Sequence, residues 1–331
     1  LLKLTAQPEI ISFAGGLPAP GLFPVEEIAK VTTDLLAKEG RQLLQYATTE
    51  GRPSLRAKIA KRMADKYHTV VDKDDILITT GSQQCLDFCG KLFINPGDVV
   101  LCESPSYLGA LNAFNAYQPK FVEVPTDNGG LIPEELDKIL ATTPNCKFIY
   151  VIPDFQNPTG RTWSLERRKA FMEVVNKYDL AVVEDNPYGE LRYEGEILPS
   201  LKSLDTKGLV MFLGTFSKIF TPGLRLGWVA AEHSLLEKFV QIKQSADLHT
   251  SNFDQGVVDA YIDNYDLDAH VKEIVALYKH RRDVILKAME ENFPAGCEWT
   301  HPEGGLFLWL TVPEGVSALK VFNKCIEAKV A

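Results

Sequence analysis

A lysine flanked by small hydroxyl residues is the side chain with the clearest potential for covalent chemistry. Lys218 lies within residues 214–228, after Thr215 and Ser217 and before Arg225. A lysine amine is ordinarily protonated at neutral pH and is then a poor nucleophile, but burial and a neighbouring positive charge both lower its pKa. If a pocket supplies both, Lys218 can form a bond to carbon and carry a proton. Without such a pocket it is an ordinary solvated lysine.

Further polar groups follow predicted strands. Asp185 and Tyr188 come directly after the apolar residues 180–183, and Asn157 lies in a Pro-Asp-Phe-Gln-Asn-Pro-Thr-Gly segment at residues 153–160. A buried carboxylate can keep a ring nitrogen protonated, and a neutral amide can donate hydrogen bonds to an oxygen. Each residue also has a plain structural explanation, because Asn and Asp near proline favour turns and helix caps.

A glycine-containing turn at residues 81–83 is a predicted anion site. Gly81-Ser82-Gln83 lies where an apolar strand meets the start of a predicted helix. Backbone N–H groups at a helix N-terminus attract anions such as phosphate. Arg225 offers two parallel donors that suit phosphate oxygens. A simple helix cap explains Ser82 equally well, and both roles are compatible.

Seven short apolar runs are the predicted strands that must position these residues. They are residues 76–79, 99–102, 121–124, 148–152, 180–183, 209–213 and 228–231. Several are continuously apolar rather than alternating, which is typical of strands buried on both faces of a mainly parallel sheet. Ligands bind beyond the carboxyl ends of the strands in such sheets, which is where Asn157, Asp185 and Lys218 lie.

The chain pattern changes after about residue 240. Before it, apolar spacing predicts helices between the strands, such as the one over residues 165–178 that Ser164 can cap. After it come long charged helical stretches, alternation typical of strand over residues 297–310, and a helix over residues 316–330. We therefore expect an α/β fold with a mainly parallel central sheet flanked by helices and a smaller α+β C-terminal domain. A length of 331 residues fits about two domains.

Composition narrows the class of protein. The formal net charge of −9 disfavours a nucleic-acid-binding surface. The sequence contains no apolar stretch long enough to span a membrane, and its N-terminus lacks the layout of a signal peptide. The cysteines and histidines form no C-x-x-C or H-x-x-x-H pair, so we expect no disulfide framework and no metal. These features favour a cytoplasmic enzyme.

These segments resemble the pyridoxal-phosphate-dependent aminotransferases of fold type I, classes I and II. The strongest match is the lysine segment, and the Asn-Pro-Thr-Gly turn supports it. Four further segments resemble the aminoadipate and kynurenine branch of this family. They are Ser-Phe-Ala-Gly-Gly-Leu-Pro at 12–18, Tyr-Ala-Thr-Thr-Glu-Gly at 46–51, Ser-Pro-Ser-Tyr-Leu-Gly-Ala at 104–110 and Pro-Glu-Gly-Gly-Leu-Phe at 302–307. The resemblance covers nearly the whole chain.

The resemblance implies pyridoxal phosphate as the cofactor and gives the polar residues roles around it. Lys218 would hold the cofactor covalently and act as the general base and acid. Asp185 would pair with the pyridine nitrogen, and Tyr188 would hydrogen-bond the phenolic oxygen. Asn157 would donate to the same oxygen and to the substrate carboxylate.

The resemblance also implies how the phosphate and the ring are bound. Tyr107 would stack on the cofactor ring, although core packing also explains an aromatic residue there. The expected phosphate ligands are Ser82, Gln83, Thr215, Ser217 and Arg225.

Two implied roles lie at the edge of the site. Tyr46 would bind substrate and reach the phosphate of a neighbouring subunit's cofactor, which implies a homodimer with shared active sites. Gly16 would belong to a mobile N-terminal segment that covers the substrate. An exposed tyrosine and a plain glycine turn are the simpler explanations of these two residues.

The resemblance implies transfer of an amino group from an L-amino acid to a 2-oxo acid such as 2-oxoglutarate, by a ping-pong mechanism. The expected donors are 2-aminoadipate, kynurenine, and aromatic or branched amino acids. Two alternatives stay open. One is a different reaction with the same cofactor, such as C–S lysis or decarboxylation, and the other is the effector domain of a transcription regulator.

The same resemblance implies a division of the chain into domains, and this sequence differs from the family in one respect. The expected divisions are an N-terminal arm at 1–45, a large cofactor-binding domain at 46–240 and a small C-terminal domain at 241–331. No residue matches the C-terminal arginine that clamps the substrate carboxylate in this family, and Arg161 and Arg192 are expected to be surface charges. We therefore expect the natural chain to extend beyond both Leu1 and Ala331.

Overall fold

A seven-stranded sheet forms the centre of the computed structural model, which describes residues 9–331; the first eight residues of the predicted arm lie outside it. The strands are β1 (Ile76–Thr79), β2 (Val99–Glu103), β3 (Lys120–Val124), β4 (Thr126–Asp127), β5 (Gly130–Leu131), β6 (Cys146–Val151), β7 (Ala181–Asp185), β8 (Val210–Thr215), β9 (Gly227–Ala230), β10 (Glu298–Trp299) and β11 (Leu310–Thr311). The order in the large sheet is β1-β9-β8-β7-β6-β2-β3. Only β9 is antiparallel to its neighbours in that sheet, so the predicted mainly parallel α/β architecture is confirmed.

Several helices pack on the faces of this sheet, and residues 9–331 form eleven α-helices in all. They are α1 (Val25–Leu43), α2 (Pro53–Tyr67), α3 (Ser82–Phe93), α4 (Leu108–Asn115), α5 (Pro133–Thr142), α6 (Leu165–Tyr178), α7 (Leu201–Leu204), α8 (His233–Ala246), α9 (Asn252–Asn264), α10 (Leu267–Asn292) and α11 (Ala318–Glu327). As predicted, Ser164 caps α6 by accepting a hydrogen bond from the Arg167 N–H.

Continuous apolar strands place a core on each side of the sheet. Val100 and Tyr150 belong to one buried cluster, whereas Leu101 and Ile149 belong to the other. Successive strand residues point to opposite faces, so an uninterrupted apolar run supplies both clusters at once. Polar side chains are then left for the strand ends, where the candidate site lies.

The C-terminal region departs from the predicted strand over residues 297–310. Its ends pair with each other as β10 and β11, and Gly304 forms an isolated antiparallel bridge with Arg192, because Pro302 and the left-handed Gly305 (φ +76°) break the extended conformation between the ends. The Tyr193 N–H donates to the Glu303 carbonyl at 2.7 Å, and the Gly305 N–H donates to the Leu191 carbonyl at 2.8 Å. This segment is therefore held against the loop that follows Tyr188.

The proposed division of the chain remains a prediction. Its boundary at residue 240 lies inside α8, and Val258 and Tyr261 of α9 belong to the same buried cluster as the central sheet. At the N-terminal end, Ile11 forms a parallel bridge with Val330. Residues from both ends of the described chain are therefore in direct contact.

Candidate active site

The loops after β1, β6, β7 and β8 meet at the carboxyl edge of the sheet. Since these four strands point the same way, the residues that follow them come together, as predicted for Asn157, Asp185 and Lys218. The cluster has an acceptor end, formed by Asp185 and Tyr150, and a donor end, formed by Arg225 and the residues around it.

Lys218 lies near the donor end, close enough to Arg225 for the two charges to interact. Its Nζ donates a hydrogen bond to the Gly16 carbonyl at 2.7 Å. Burial, followed by the positive charge of Arg225, lowers the pKa of Lys218 to about 8. About a tenth of this amine is therefore neutral at pH 7, far more than for an ordinary lysine, and the neutral form is the one that a nucleophile and proton carrier requires.

At the donor end, Arg225 packs against the first turn of α3. A Cβ atom at Gly81 would overlap the Arg225 guanidinium, and Gly81 also has a left-handed φ of +75°. A Cβ atom at Gly227 would lie 2.6 Å from the Ser82 backbone nitrogen. Both glycines are therefore required by close packing, which brings a cation beside the free N–H groups of a helix N-terminus.

Two buried hydroxyl groups complete the donor end. The Thr215 hydroxyl accepts a hydrogen bond from the Ser217 N–H at 3.1 Å and lies 2.9 Å from the Ser217 hydroxyl. Gln83 behaves differently, because its side-chain amide donates to the Gly109 carbonyl at 2.9 Å in an exposed position. Together, the guanidinium of Arg225, the helix N-terminus and the two hydroxyls can bind an anion such as phosphate.

At the acceptor end, Asp185 keeps one oxygen without a partner. Its Oδ2 accepts a hydrogen bond from the Tyr150 phenol at 2.8 Å, whereas Oδ1 is buried and has no hydrogen-bond partner. Burial raises the pKa of Asp185 to about 6, against the lowering effect of the Tyr150 hydrogen bond. A free, buried acceptor of this kind fits a protonated ring nitrogen.

Tyr150 is a site residue that the sequence reasoning missed. It lies within the apolar residues predicted as a strand, and it is fully buried in β6. Its only sequence signal is that one phenol interrupts an apolar run, and a buried phenol requires a hydrogen-bond partner. That partner, Asp185, comes from the neighbouring strand.

The remaining aromatic residues form the wall of the site. Asn157 lies within hydrogen-bonding reach of the Tyr188 phenol, and burial raises the pKa of Tyr188 above its usual range. Burial also raises the pKa of Tyr107, and the negative charge of Asp185 raises it further. Tyr107 is therefore close enough to Asp185 for the charge of the carboxylate to affect its phenol.

Gly16 and Phe307 close the site from the other side. A Cβ atom at Gly16 would lie 2.7 Å from the Phe307 ring, so only glycine allows this approach without a shift of the ring. Phe307 in turn packs edge-on against Tyr188, with 5.5 Å between the ring centroids. The N-terminal segment therefore contacts Lys218 at Gly16, and its role as a substrate-covering element stays a prediction.

Tyr46 lies apart from the other site residues within this chain. Its side chain is 78% exposed, and its ring packs edge-on against His249 at 5.9 Å. The His249 Nε2 also lies 3.3 Å from the Ala47 backbone nitrogen. The Tyr46 ring is therefore held by His249 and is largely exposed to solvent within this chain.

The expectation that Arg192 is a surface charge is wrong. Its side chain is only 6% exposed, its guanidinium lies over the Phe155 ring at 4.8 Å, and it donates to a Glu303 carboxylate oxygen at 2.9 Å. A planar guanidinium can stack and pair at the same time, which allows this burial. Arg161 is half-buried, and its guanidinium contacts Thr126.

The residues present fit pyridoxal phosphate. The cofactor carries an aldehyde, a basic ring nitrogen and a phosphate group. The site offers one partner for each, namely the amine of Lys218 with its lowered pKa, the unpartnered oxygen of Asp185 and the donor end around Arg225. The fit follows from the chemistry of these three groups and their common location.

Comparisons with known proteins agree with this chemistry. The family model described as aminotransferase class I and II matches residues 9–331. Aromatic-amino-acid aminotransferase 1 of Thermococcus litoralis is 47% identical, over 100% of this chain and 80% of that protein. The 2-aminoadipate transaminase of Thermus thermophilus is 40% identical, over 100% of this chain and 82% of that protein.

A solved structure agrees equally well. The crystal structure of Pyrococcus horikoshii kynurenine aminotransferase, in complex with PMP, has a TM-score of 0.95 and 44% identity, and covers 100% of this chain and 82% of that one. The relatives named here are transaminases, which decides between the alternatives that the sequence left open.

Proposed function

The chain belongs to the class I and II aminotransferases, which use pyridoxal phosphate, and from this premise we propose a role for each residue of the site. The observation that carries the proposal is the buried amine of Lys218, whose pKa is lowered to about 8 by burial and by Arg225. When bound, the cofactor supplies an electron sink that makes the Cα–H bond of an amino acid acidic.

We assign the binding of the cofactor to both ends of the site. Asp185 pairs with the protonated pyridine nitrogen through its free oxygen, and Tyr107 lies against the ring. Asn157 and Tyr188 donate hydrogen bonds to the phenolic oxygen. The phosphate is held by Ser82, Gln83, Thr215, Ser217 and Arg225, together with the first turn of α3. Lys218 holds the cofactor covalently when no substrate is bound.

Lys218 is also the proton carrier in the proposed mechanism. With cofactor and substrate bound, the Lys218 amine would be free to take the proton from the substrate Cα and to donate a proton at C4′ of the cofactor. Asn157 orients the substrate carboxylate, and the segment around Gly16 excludes water from the site. Amino-group transfer then proceeds in two half-reactions, which predicts ping-pong kinetics with 2-oxoglutarate as the acceptor.

The proposed donors are 2-aminoadipate, kynurenine, and aromatic or branched amino acids. The names of the relatives support this range, because they include aromatic, aminoadipate and kynurenine aminotransferases. We propose a broad donor range rather than one substrate. A panel of donors ranked by kcat/KM tests this choice.

We further propose a homodimer that functions in the cytoplasm and in amino-acid biosynthesis. Support for the dimer comes from Tyr46, whose exposed ring is held by His249 and is free to reach a second subunit's phosphate. Within residues 9–331, no helix combines the length and apolar character needed to cross a bilayer. Tyr46→Phe is expected to weaken cofactor binding, and the protein's mass in solution tests the dimer directly.

The central experiment measures glutamate formed from an amino acid and 2-oxoglutarate. Lys218→Ala is expected to abolish turnover and the visible absorbance of the lysine-bound cofactor, because both depend on this amine. Lys207→Ala is the matched control, since Lys207 is an exposed lysine paired with Asp179 far from the site. Normal turnover by the Lys218→Ala variant would refute the proposal.

A further inference from the structure

A buried glutamate lies beneath the candidate site and has no role in the proposed chemistry. Glu103 is the last residue of β2 and is 2% exposed. Among residues 9–331 it forms no ion pair. Burial raises the pKa of Glu103 to about 7, although its hydrogen bonds act in the opposite direction. Burying a carboxylate without a partner destabilises the folded protein, so the hydrogen-bond partners of Glu103 must account for its presence here.

Three N–H donors converge on Glu103, and all come from one segment. The Trp163 indole donates to Oε1 at 3.1 Å, and the Ile152 backbone N–H and the Gln156 side chain both donate to Oε2 at 3.2 Å. These donors lie on residues 152–163, which also carry Asn157. Glu103 therefore anchors the Asn157 segment at three points.

Gln156 extends this anchor in two directions. Its side-chain nitrogen also donates to the Pro105 carbonyl at 2.8 Å, on the segment that leads to Tyr107. Its side-chain oxygen accepts from the Thr159 backbone N–H at 3.2 Å and from the Thr159 hydroxyl at 2.6 Å. Gln156 therefore links the Tyr107 segment to the turn that contains Asn157.

We propose that Glu103 is a positioning residue that, through Gln156, fixes the Asn157 amide where it donates to the phenolic oxygen of the bound cofactor. Glu103 itself touches neither cofactor nor substrate. The inference rests on the proposed role of Asn157 and identifies what holds that residue in place.

The chemistry of the three partners explains why a carboxylate is needed. All three present N–H groups, and an ionised carboxylate is the side chain that accepts at both oxygens without presenting a donor. In Glu103→Gln, an NH₂ group replaces one oxygen and faces an N–H donor. At least one of the three hydrogen bonds is then lost, and the Asn157 turn loses an anchor.

A pH titration of the purified holoenzyme tests the proposal without measuring activity. The visible absorbance of the bound cofactor reports the protonation of the system that includes its phenolic oxygen. Weaker donation from Asn157 disfavours the deprotonated form, so Glu103→Gln is expected to raise the midpoint by about one pH unit. The cofactor dissociation constant is expected to rise severalfold in the same variant.

Glu184→Gln is the matched control for loss of a buried charge. Burial raises the pKa of Glu184 to about 7 as well, but its carboxylate accepts from the Leu201 and Lys202 N–H groups at 2.8 and 2.9 Å, away from the Asn157 turn. This variant is expected to lose thermal stability with the midpoint unchanged. An equal midpoint shift in both variants would overturn the proposal, as would an unchanged midpoint in Glu103→Gln.

Gln156→Met keeps the test informative if Glu103→Gln does not fold. It removes the link between Glu103 and the turn, so it is expected to raise the midpoint in the same direction, and an unshifted midpoint overturns the inference. A wild-type protein with no pH-dependent visible absorbance would instead contradict the proposed role of Lys218. The two failures are therefore distinguishable.

Discussion

The two ends of the site bind opposite charges by different means. The acceptor end relies on one carboxylate, Asp185, which is buried and held by a single phenol. The donor end distributes its charge over the Arg225 guanidinium, a helix N-terminus and the hydroxyls of Thr215 and Ser217. When a single buried charge is removed, no neighbouring group can take over its role. When one of several donors is removed, the remaining donors still bind the anion. Substitutions at the acceptor end are therefore expected to have larger effects.

The largest expected effect in this comparison comes from Asp185→Asn. An amide cannot pair with a protonated ring nitrogen as a carboxylate does, and breaking a buried ion pair costs about 3–5 kcal/mol. We expect kcat/KM to fall by about a thousandfold at saturating cofactor. Glutamate formation measures this loss. A fall of less than about tenfold would mean that the acceptor end does not depend on one charge.

The same residue is expected to govern pH-dependent stability in the cofactor-free protein. The folded-state pKa of Asp185 is raised by burial from its ordinary 3.8 to about 6, so the folded protein keeps a proton that the unfolded chain loses. Between these two pH values its ionisation lowers the free energy of unfolding, by about 3 kcal/mol in total. Urea unfolding of the wild type and Asp185→Asn at pH 4 and pH 7 measures this difference. A pH-independent difference between the two proteins would contradict it.

A smaller effect is expected at the donor end from Arg225→Gln. Losing one charge-assisted interaction with phosphate costs about 2 kcal/mol, so the cofactor dissociation constant should rise about thirtyfold. The substitution also removes a positive charge that lowers the pKa of Lys218, so that pKa should rise. Equilibrium dialysis measures the affinity, with exposed Arg281 changed to Gln as the control. Complete loss of cofactor binding would show that the donor end is not distributed.

The smallest effect is expected from Tyr150→Phe. It removes one hydrogen bond to Asp185, worth about 1 kcal/mol, so kcat/KM should fall about fivefold and the pKa of Asp185 should rise. Tyr117→Phe is a matched control, because its phenol donates to the Asp87 carboxylate at 2.9 Å away from the site. Equal losses in both variants would mean that the effect is not transmitted through Asp185.

Most of the sheet and one helix cap were predictable from the sequence. Short apolar runs identified all seven strands of the large sheet, and several of these runs are continuous because burial on both faces requires it. The cap at Ser164 was equally predictable, since it depends only on neighbouring residues. The strand over residues 297–310 was overpredicted, because alternation alone does not reveal where Pro302 and Gly305 interrupt pairing.

The sequence predicted several residues of the site, but it did not predict the hydrogen bonds and contacts between them. Spacing and resemblance indicated Lys218 and Asp185, whereas the single phenol of Tyr150 in an apolar run did not reveal which residue it pairs with. Arg192 was misjudged for the same reason, because its stacking on Phe155 and its pairing with Glu303 join distant segments. Glu103 gave no signal at all in the sequence.

The sequence by itself therefore determined which residue types can perform the chemistry and which strands carry them. Both depend on local order, since strand patterning and motif identity extend over only a few residues. The tertiary structure decided the protonation of these groups and what holds them. Lys218 has a lowered pKa only because folding buries it beside Arg225, and Asp185 keeps a free oxygen only because Tyr150 occupies the other. Burial and charge act through space, and the fold alone sets those distances.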